Sequence, residues 1–598
     1  AIVLDSSSEE GEAVEPPAKL ARVAEVGRQD AAPISPSLPA YAGPLFLNQL
    51  LEQQQQQYNN NKTNNNNKTN NNKQQQQRQQ QQQPASSTPP ASALPELSLQ
   101  DIFERHPSVG GRPPKEAFLA NYMIDLAWLL MECPSLLRVP RLTVIQGDGG
   151  SGCASGMALR SEVGLPTRVM APFRPPLEWG THHSKLALIL YDDCIRVVVR
   201  TYNDVFSDFH GKSQAIFLQD FPTRAPAFAG YSDDFGAEFA RYLKLYLMVC
   251  GGLELEKMDR YDFSAATGAL VASVPGYHRG ASVCEWGHMR LRRLLAQHVV
   301  LPTCWPSGSE EGLICQFSSL GSLSPNWLKE FQETLATTTG PPSSPTPPLQ
   351  LVVPTVAQVR DSDEGWVAGV SVPIRKANLK EFLAPYWRRW GPSSSADRSA
   401  EAVRARQAMP HVKSYCRYAA RRPGRPAAQM DPTRQGVRLA WICVTSHNLS
   451  KAAWGELQKG GSQICMRSYE LGVVLFPNRL AALVRDPQRP SGYFFRPLAT
   501  PSTGGAGGVV ASVFVPLPAS SHGNAAAGEP CGYREVPICC PTEVPPADPP
   551  SGLDDDRLWA VDLEEGAYLG FDRFGSRRNE RGKQFYGNEP ALKQTETL

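Results

Sequence analysis

The sequence is poor in the features that mark metalloproteins, disulfide scaffolds and membrane proteins. Its 13 cysteines and 10 histidines are scattered over 598 residues. There is no Cys-x-x-Cys pair and no Cys/His cluster at zinc-ligand spacing. Cys539 and Cys540 are adjacent and cannot easily bridge each other, so the thiols read as free and the compartment as reducing. No long apolar run occurs; residues 117–131, the most apolar helical candidate, contain Asn121 and Asp125 and are too short to span a bilayer. No signal peptide opens the chain, and the missing initiator Met points to a trimmed or partial N-terminus. Charge of one sign is also lacking: the net charge is only +2, so any basic surface must be local. With 41% apolar and 20% charged residues, the chain reads as soluble and globular outside its polar N-terminal tract.

What the sequence does contain is a repeated small pattern. His183-x-Lys185 stands in Gly180-Thr-His-His-Ser-Lys185, and His411-x-Lys413 stands in Met409-Pro-His-Val-Lys-Ser-Tyr415. Each is followed by an apolar run that ends in an Asn, Asn203 after the first and Asn448 after the second. Imidazole can attack phosphorus or carry a proton near neutral pH, Lys supplies fixed positive charge, and an Asn amide donates to phosphate oxygens. A single His-x-Lys would be ordinary, since residues two apart share one face of a strand. Two copies, each trailed by a strand reaching Asn, point to one active site between two similar halves.

The rest of the chain divides around these copies. Residues 1–93 are expected to be disordered, with a Gln/Asn-rich tract at about 53–83 and a short candidate docking segment at 44–50. Ile2 to Asp5, with the Ser and Glu residues that follow, resembles a SUMO-interacting motif; an acidic tail with no partner is the competing reading. Residues 94–305 form the expected first half and 306–598 the second, which ends in a loop-rich region and a basic tail compatible with nuclear targeting. The pattern predicts a helix at 115–131, strands at 141–146, 186–191 and 195–200, a helix at 235–249, a strand at 269–274 and a helix at 288–297. In the second half it predicts strands at 312–317, 349–353, 366–372, 465–475 and 509–515, and helices at 326–334 and 378–390. The Gly-rich run at 147–152 lacks Gly-Lys-Ser/Thr and a following helical pattern, which excludes a nucleotide-binding P-loop. Arg290, Arg292 and Arg293 either face a phosphate backbone or form a solvated helix face. A Pro/Arg-rich insertion separates Lys413 from Asn448 and suits a surface loop.

Several further blocks accompany the two half-sites: Thr201-Tyr-Asn203, Lys212-Ser-Gln214, Trp286-Gly-His-Met-Arg-Leu291, Gln316-Phe-Ser-Ser-Leu-Gly-Ser322, Thr445-Ser-His-Asn-Leu-Ser-Lys451 and Arg467-Ser-Tyr-Glu-Leu-Gly472. In combination and order the chain resembles the phospholipase D superfamily, and within it the tyrosyl-DNA phosphodiesterase family. The usual superfamily Asp five positions after each Lys is absent, its places taken by Leu190 and Tyr418. That departure favours the tyrosyl-DNA branch and leaves each His to find its partner elsewhere.

The resemblance implies an α/β fold of two pseudo-symmetric α/β/α sandwich halves with mixed sheets and the active site at their interface. It implies that His183 attacks a DNA 3′ phosphate joined to tyrosine and that His411 protonates the leaving phenolate, then activates water to leave a 3′-phosphate. Lys185, Lys413, Asn203 and Asn448 would hold the phosphate oxygens without a metal or other cofactor. By the same matching Glu470 would support His183 and Gln214 would support His411, while Trp179, Ser319, Ser322 and Lys451 would contact the substrate strand. The implied partners are DNA with 3′-phosphotyrosyl or other blocked 3′ ends, preferably single-stranded, and a topoisomerase I-derived peptide. The protein is expected to be a nuclear monomer with no membrane association. The competing functions are a general or lipid phosphodiesterase of the superfamily and a non-catalytic DNA-end-binding scaffold.

Overall fold

The computed structural model describes residues 99–103, 114–148, 152–165, 167–170, 177–224, 234–250, 255–299, 309–341, 345–390, 408–421, 438–476, 493–497, 510–515, 534–538, 549–551 and 557–563, with single positions 568, 571, 572, 574 and 578. All belong to one compact unit, Pro89–Leu598. The Ile2 to Asp5 segment, residues 44–50, the Gln/Asn tract, the insertion at 422–437, Cys539 with Cys540 and most of the basic tail lie outside the described residues.

The first sheet is built from β1 (Glu116–Asn121), β2 (Arg141–Gln146), β3 (Thr167–Met170), β4 (Leu186–Leu190), β5 (Cys194–Arg200) and β6 (Lys212–Pro222). Their spatial order is β6-β5-β4-β1-β2-β3. β1, β2 and β3 run parallel to one another, and the steps from β1 through β4 and β5 to β6 are antiparallel. Every residue of β4 and β5 is buried, so both faces of these strands are covered and their sequences read as continuous apolar runs. The charge in β5 is neutralised where it lies: Arg196 forks onto Asp220 of β6 through bonds of 2.7 and 2.9 Å.

The second sheet repeats the plan. It is made of β7 (Gly268–Ser273), β9 (Ser309–Gln316), β10 (Leu349–Val353), β11 (Trp387–Arg389), β13 (Ser414–Arg421), β14 (Arg438–Thr445) and β17 (Glu470–Leu475), in the order β11-β10-β9-β13-β14-β17-β7. Again three strands, β9, β10 and β11, are parallel, and β13, β14 and β17 follow in antiparallel steps. The sheets approach each other along β5 and β6 on one side and β14 and β17 on the other. One apolar core runs through both. A small sheet of β8 (Gly276–Arg279), β15 (Glu456–Gln458) and β16 (Gln463–Met466) and a pair formed by β18 (Tyr493–Pro497) and β20 (Arg534–Ile538) complete the strands assigned below residue 550, apart from two that cross between halves.

Those two are β12 (Met409–Pro410) and β19 (Val510–Val515), which both pair with β6 of the first sheet. In the other direction β7, from before residue 305, pairs with β17 of the second sheet. The sheets therefore do not divide at residue 305: each half lends strands to the other.

Several local expectations change in the fold. Residues 116–121 are a strand instead of the start of a helix, because the segment is an interior strand held by β2 and β4 on its two sides. The helix begins only at α1 (Leu126–Glu132), where the Asp125 side chain accepts from the Trp128 amide. A short apolar run of this length fits either state until its neighbours are known. Residues 365–371 form a 3-10 helix instead of a strand, and 378–390 form a 3-10 turn containing Pro385 followed by β11. The run at 465–475 is two strands, β16 and β17, separated by Arg467, Ser468 and Tyr469. A helix does follow the Gly-rich run, at Ala154–Glu162. Gly152 is required there because a Cβ would lie 2.0 Å from the Ile124 carbonyl oxygen.

Helices α2 (Phe206–Gly211), α3 (Asp234–Cys250), α4 (Gly287–His298), α5 (Pro325–Leu335) and α6 (Lys451–Trp454) are the other helices that bear on the site. Arg290 of α4 is buried, with its guanidinium over the Tyr242 ring and bonded to Glu238, and Arg293 pairs with Glu285. Arg290 thus serves packing between α3 and α4, whereas Arg293 stays partly exposed and is tied down by its pair with Glu285. Within the basic tail, Arg578 is likewise buried beside the Trp559 and Tyr568 rings.

Gly287 opens α4 at φ +56°, and a Cβ there would stand 2.2 Å from the Trp454 carbonyl oxygen. Gly287→Ala is therefore expected to destabilise the protein by about 1–3 kcal/mol. Thermal denaturation checks this, and an unchanged Tm would show that α4 can shift away from α6 without cost.

Candidate active site

His183 lies just before β4, and its backbone is stitched to the other half. The His183 amide donates to the Tyr469 carbonyl at 2.9 Å, and the Tyr469 amide donates back to the Thr181 carbonyl at 2.9 Å. The next residue, Glu470, thereby reaches His183: Nδ1 stands 2.9 Å from Glu470 Oε2. That carboxylate oxygen also accepts from the Ser446 hydroxyl at 2.5 Å. With Nδ1 donating to a carboxylate, the ring presents Nε2 with its lone pair.

The second half-site is built by the same rule in reverse. His411 follows β12, and its amide donates to the Ser213 carbonyl of β6 at 3.1 Å. The next residue, Gln214, places Nε2 3.3 Å from His411 Nδ1, and its Oε1 accepts from the Thr201 hydroxyl at 2.8 Å. Thr201 and Ser446 occupy matching places, each two positions before its Asn (203 − 201 = 2 and 448 − 446 = 2). A further group, absent from the sequence expectations, joins this side: Asp208 Oδ2 lies 3.3 Å from His411 Nδ1. Both imidazoles therefore have a carboxylate near Nδ1, neither of them five residues after its Lys, where Leu190 and Tyr418 stand.

Lys185 and Lys413 are buried, and each Nζ donates to the carbonyl of the His two residues before it. The two asparagines differ in how they are held. Asn448 Oδ1 accepts from the Ser318 amide at 3.2 Å, the Ser318 hydroxyl at 3.3 Å and the Ser319 amide at 3.0 Å. This leaves the Asn448 amide nitrogen free to donate elsewhere. Asn203 is fixed through its backbone, whose N–H donates to Asp208 Oδ2 at 3.0 Å, and its buried Oδ1 has no partner among the described residues.

The electrostatics follow from concentrating cations in a buried space. Burial, with Lys185 and Lys413 nearby, holds the pKa of His183 below its ordinary value even against Glu470. Burial and then Lys413, Lys185, His183 and Lys212 hold His411 well below the ordinary value. Burial lowers Lys185 to about 8 and pushes Lys413 well below the ordinary lysine range. Burial would raise Glu470, but His183, His447 and the Ser446 hydroxyl outweigh it and hold the carboxyl low. Burial and the neighbouring cations thus disfavour added protons on these groups, and an anion placed among them would favour their charged forms. Among the described residues no three His, Cys, Asp or Glu side chains converge as metal ligands.

The residues matched to strand contact sit around this centre. Ser319 and Ser322 follow β9, in a loop tied to the Asn448 region by the Gly321 amide, which donates to the Leu449 carbonyl at 3.0 Å. Ser319 contributes its amide to Asn448, and the exposed Ser322 hydroxyl accepts from Lys380 Nζ at 2.9 Å. Lys451 opens α6 and bonds Glu456 at 2.6 Å. Trp179 stands in the loop before Thr181 with φ +66° and its surface 47% exposed. The adjacent Glu178 carbonyl accepts from Arg467 at 2.8 Å, fixing that loop to the turn before Glu470. A bulky residue in the left-handed region is strained, so the backbone of Trp179 is held in an uncommon conformation while its ring stays half-exposed.

Thr201, Asp208, Ser446, Ser318 and Lys380 were missed in the sequence. The repeated hydroxyl two positions before Asn was a usable signal for Thr201 and Ser446. Nothing in spacing or composition marked Asp208 or Lys380.

Two sheets of matching strand order, with His183 and Lys185 on one side and His411 and Lys413 on the other, define a bipartite α/β fold with one candidate site shared by its two sheets. A family model described as tyrosyl-DNA phosphodiesterase matches residues 81–518, more than half of the chain, and the chain belongs to that family. It is 37% identical over 378 residues to tyrosyl-DNA phosphodiesterase 1 of Arabidopsis thaliana, covering 60% of this chain and 57% of the relative. It is 30% identical over 381 residues to tyrosyl-DNA phosphodiesterase 1 of Drosophila melanogaster, covering 60% of each. The chain thus spans less than two thirds of the length of these two curated relatives. A crystal structure of yeast tyrosyl-DNA phosphodiesterase aligns at 18% identity and a TM-score of 0.46, covering 64% of this chain and 88% of that one.

The lowered pKa of Lys185 has a consequence for stability. A lysine whose folded pKa of about 8 lies below its ordinary 10.5 opposes folding at pH values below 8, and that opposition fades as pH rises towards 10.5. Lys185→Met is expected to stabilise the protein by about 1–4 kcal/mol at pH 7, with the gain shrinking above pH 8. Denaturant titrations at pH 7 and 9 test this; a variant less stable at pH 7 would mean that attraction to Glu470 and Asp208 exceeds the cost of burial.

Proposed function

We propose that this protein hydrolyses the bond between a DNA 3′ phosphate and a tyrosine, through a phosphohistidine on His183. The observation that carries the reading is the pair of imidazoles with carboxylates near Nδ1, flanked by two buried lysines whose proton affinity burial depresses, a cluster of positive charge suited to an anion. A phosphodiester is such an anion, and planar amide and ammonium donors suit its non-bridging oxygens.

In the first step His183 Nε2 forms a bond to phosphorus as the bond from phosphorus to the tyrosine oxygen breaks. The departing electron pair on that oxygen takes a proton from His411 Nε2. Lys185, Lys413, Asn203 and Asn448 donate to the non-bridging oxygens while charge builds on them. Glu470 stabilises the cationic phosphohistidine by accepting from Nδ1. In the second step His411 Nε2 takes a proton from water, the water oxygen bonds to phosphorus, and the bond to His183 breaks to leave a 3′-phosphate. The half-exposed Trp179, in the loop that leads to His183, supports a single-stranded substrate, since an unpaired base can stack on it. Peptides left on DNA by topoisomerase I, and other blocked 3′ ends, are the substrates proposed, with the nucleus as the place of action. No helix among the described residues is long and apolar enough to cross a membrane.

An oligonucleotide with a 3′-phosphotyrosine, incubated in excess EDTA, tests the reading. Wild type is expected to release a 3′-phosphate, and His183→Ala none. A phenol has a pKa of about 10, so tyrosine can leave with less help than water needs to attack. His411→Ala should therefore retain part of the first step and accumulate DNA covalently attached to His183. An equal adduct in His183→Ala, or release only after a divalent metal is added, would overturn the assignment.

A further inference from the structure

The chemistry at His411 makes a demand that Gln214 cannot meet as it is oriented. His411 gives up the Nε2 proton in the first step and uses the Nε2 lone pair in the second. Nδ1 must therefore keep its proton throughout, and that proton needs an acceptor. Gln214 Nε2 donates to the Asp208 carbonyl at 3.0 Å, an atom that can only accept, and Gln214 Oε1 is engaged by Thr201. The Gln214 group near His411 Nδ1 is thus an amino group, a donor facing a donor when Nδ1 is protonated.

Asp208 supplies the missing acceptor. Its Oδ2 lies 3.3 Å from Nδ1, the side chain is 4% exposed in its residue, and the Asn203 amide holds the same oxygen at 3.0 Å. The charged groups facing this corner are Lys185, Lys212 and Lys413, with Lys212 itself paired to Glu364. Comparison of the halves sharpens the point. The place five residues after Asn203 is Asp208, and the place five residues after Asn448 is Ala453 (208 − 203 = 5 and 453 − 448 = 5). Across the halves, Glu470 on the strand is matched by Gln214, and Ala453 on the helix is matched by Asp208. Each histidine receives one carboxylate, from a strand in one case and from a helix in the other.

We propose that Asp208 is a positioning residue that receives the Nδ1 proton of His411 and fixes the neutral ring as its Nδ1–H tautomer; Nε2 takes up a proton as the anionic phosphodiester binds, gives it to the leaving oxygen, and then has the lone pair that accepts a proton from water. Gln214 then acts on Asp208, holding the first turns of α2 in place through the Asp208 carbonyl. This rests on the function proposed above.

The test compares wild type with Asp208→Asn, a change of nearly equal volume. Single-turnover release is measured from oligonucleotides bearing 3′-phosphotyrosine or the better leaving group 3′-p-nitrophenyl phosphate. Nitrogen-15 NMR of labelled histidine, with His411 assigned by its absence in His411→Asn, reads the tautomer in the free protein. Asp208→Asn is expected to slow tyrosine release by about 100-fold. It should cost far less with the nitrophenyl substrate, and adduct should accumulate with both because water attack still lacks its base. The NMR signal should move from the Nδ1–H to the Nε2–H form. An equal loss with both leaving groups and an unmoved tautomer would assign Asp208 to structure alone and overturn the proposal. Wild type inert on both oligonucleotides would instead overturn the function, and the tautomer measurement would still decide the role of Asp208.

Discussion

Everything in the site depends on a reciprocal exchange of hydrogen bonds between the halves. The His183 segment is paired by its backbone with Tyr469, and the His411 segment with Ser213. In each case the next side chain on the receiving strand, Glu470 or Gln214, reaches the imidazole that the backbone bond has brought alongside. Neither histidine is oriented by its own half. Strand exchange reinforces the arrangement, since β12 delivers His411 to the edge of β6 while β7 pairs with β17 beside Glu470. A relative shift of the sheets would break both half-sites at once, because the same contacts hold the chain and aim the two imidazoles.

The exchange also explains how the fold tolerates so much buried charge. Lys185 and Lys413 lie close enough to depress the proton affinity of His183 and His411, and Lys185 depresses that of Lys413. Burying cations is costly, and here the cost is offset only in part by Glu470 and Asp208. The buried cations are thus only partly balanced by the carboxylates that face them. An anion among these groups would complete their charge balance, so the interactions that weaken the fold are those that an anionic ligand would turn favourable.

Parts of this were legible residue by residue. The apolar runs of β2, β4, β5 and β10 lie where periodicity placed them, because strands buried on both faces advertise themselves in composition. Residues 116–121 were misread because a six-residue apolar run is compatible with helix or strand, and only pairing with β2 and β4 decides. Residues 365–371 and 465–475 were misread for a related reason: a 3-10 helix and a three-residue turn leave no period of their own. The basic cluster on α4 looked like a surface feature, yet Arg290 is drawn inside by Glu238 and Tyr242, partners contributed by a different helix.

By itself the sequence determined the chemical repertoire: two His-x-Lys pairs, two asparagines, and the strands that end beside them. These are local facts, set by residue type and by spacing along one or two elements. Tertiary structure decided who serves whom. Glu470 meets His183 across 287 positions and Gln214 meets His411 across 197, separations over which no periodicity carries information. Asp208 is the clearest case. It lies on a six-residue helix with nothing in its spacing to mark it, and it reaches His411 only because β12 has paired with β6. Hydrogen bonds act over about 3 Å, so a partner's identity is settled only when sheet packing has fixed where each backbone runs.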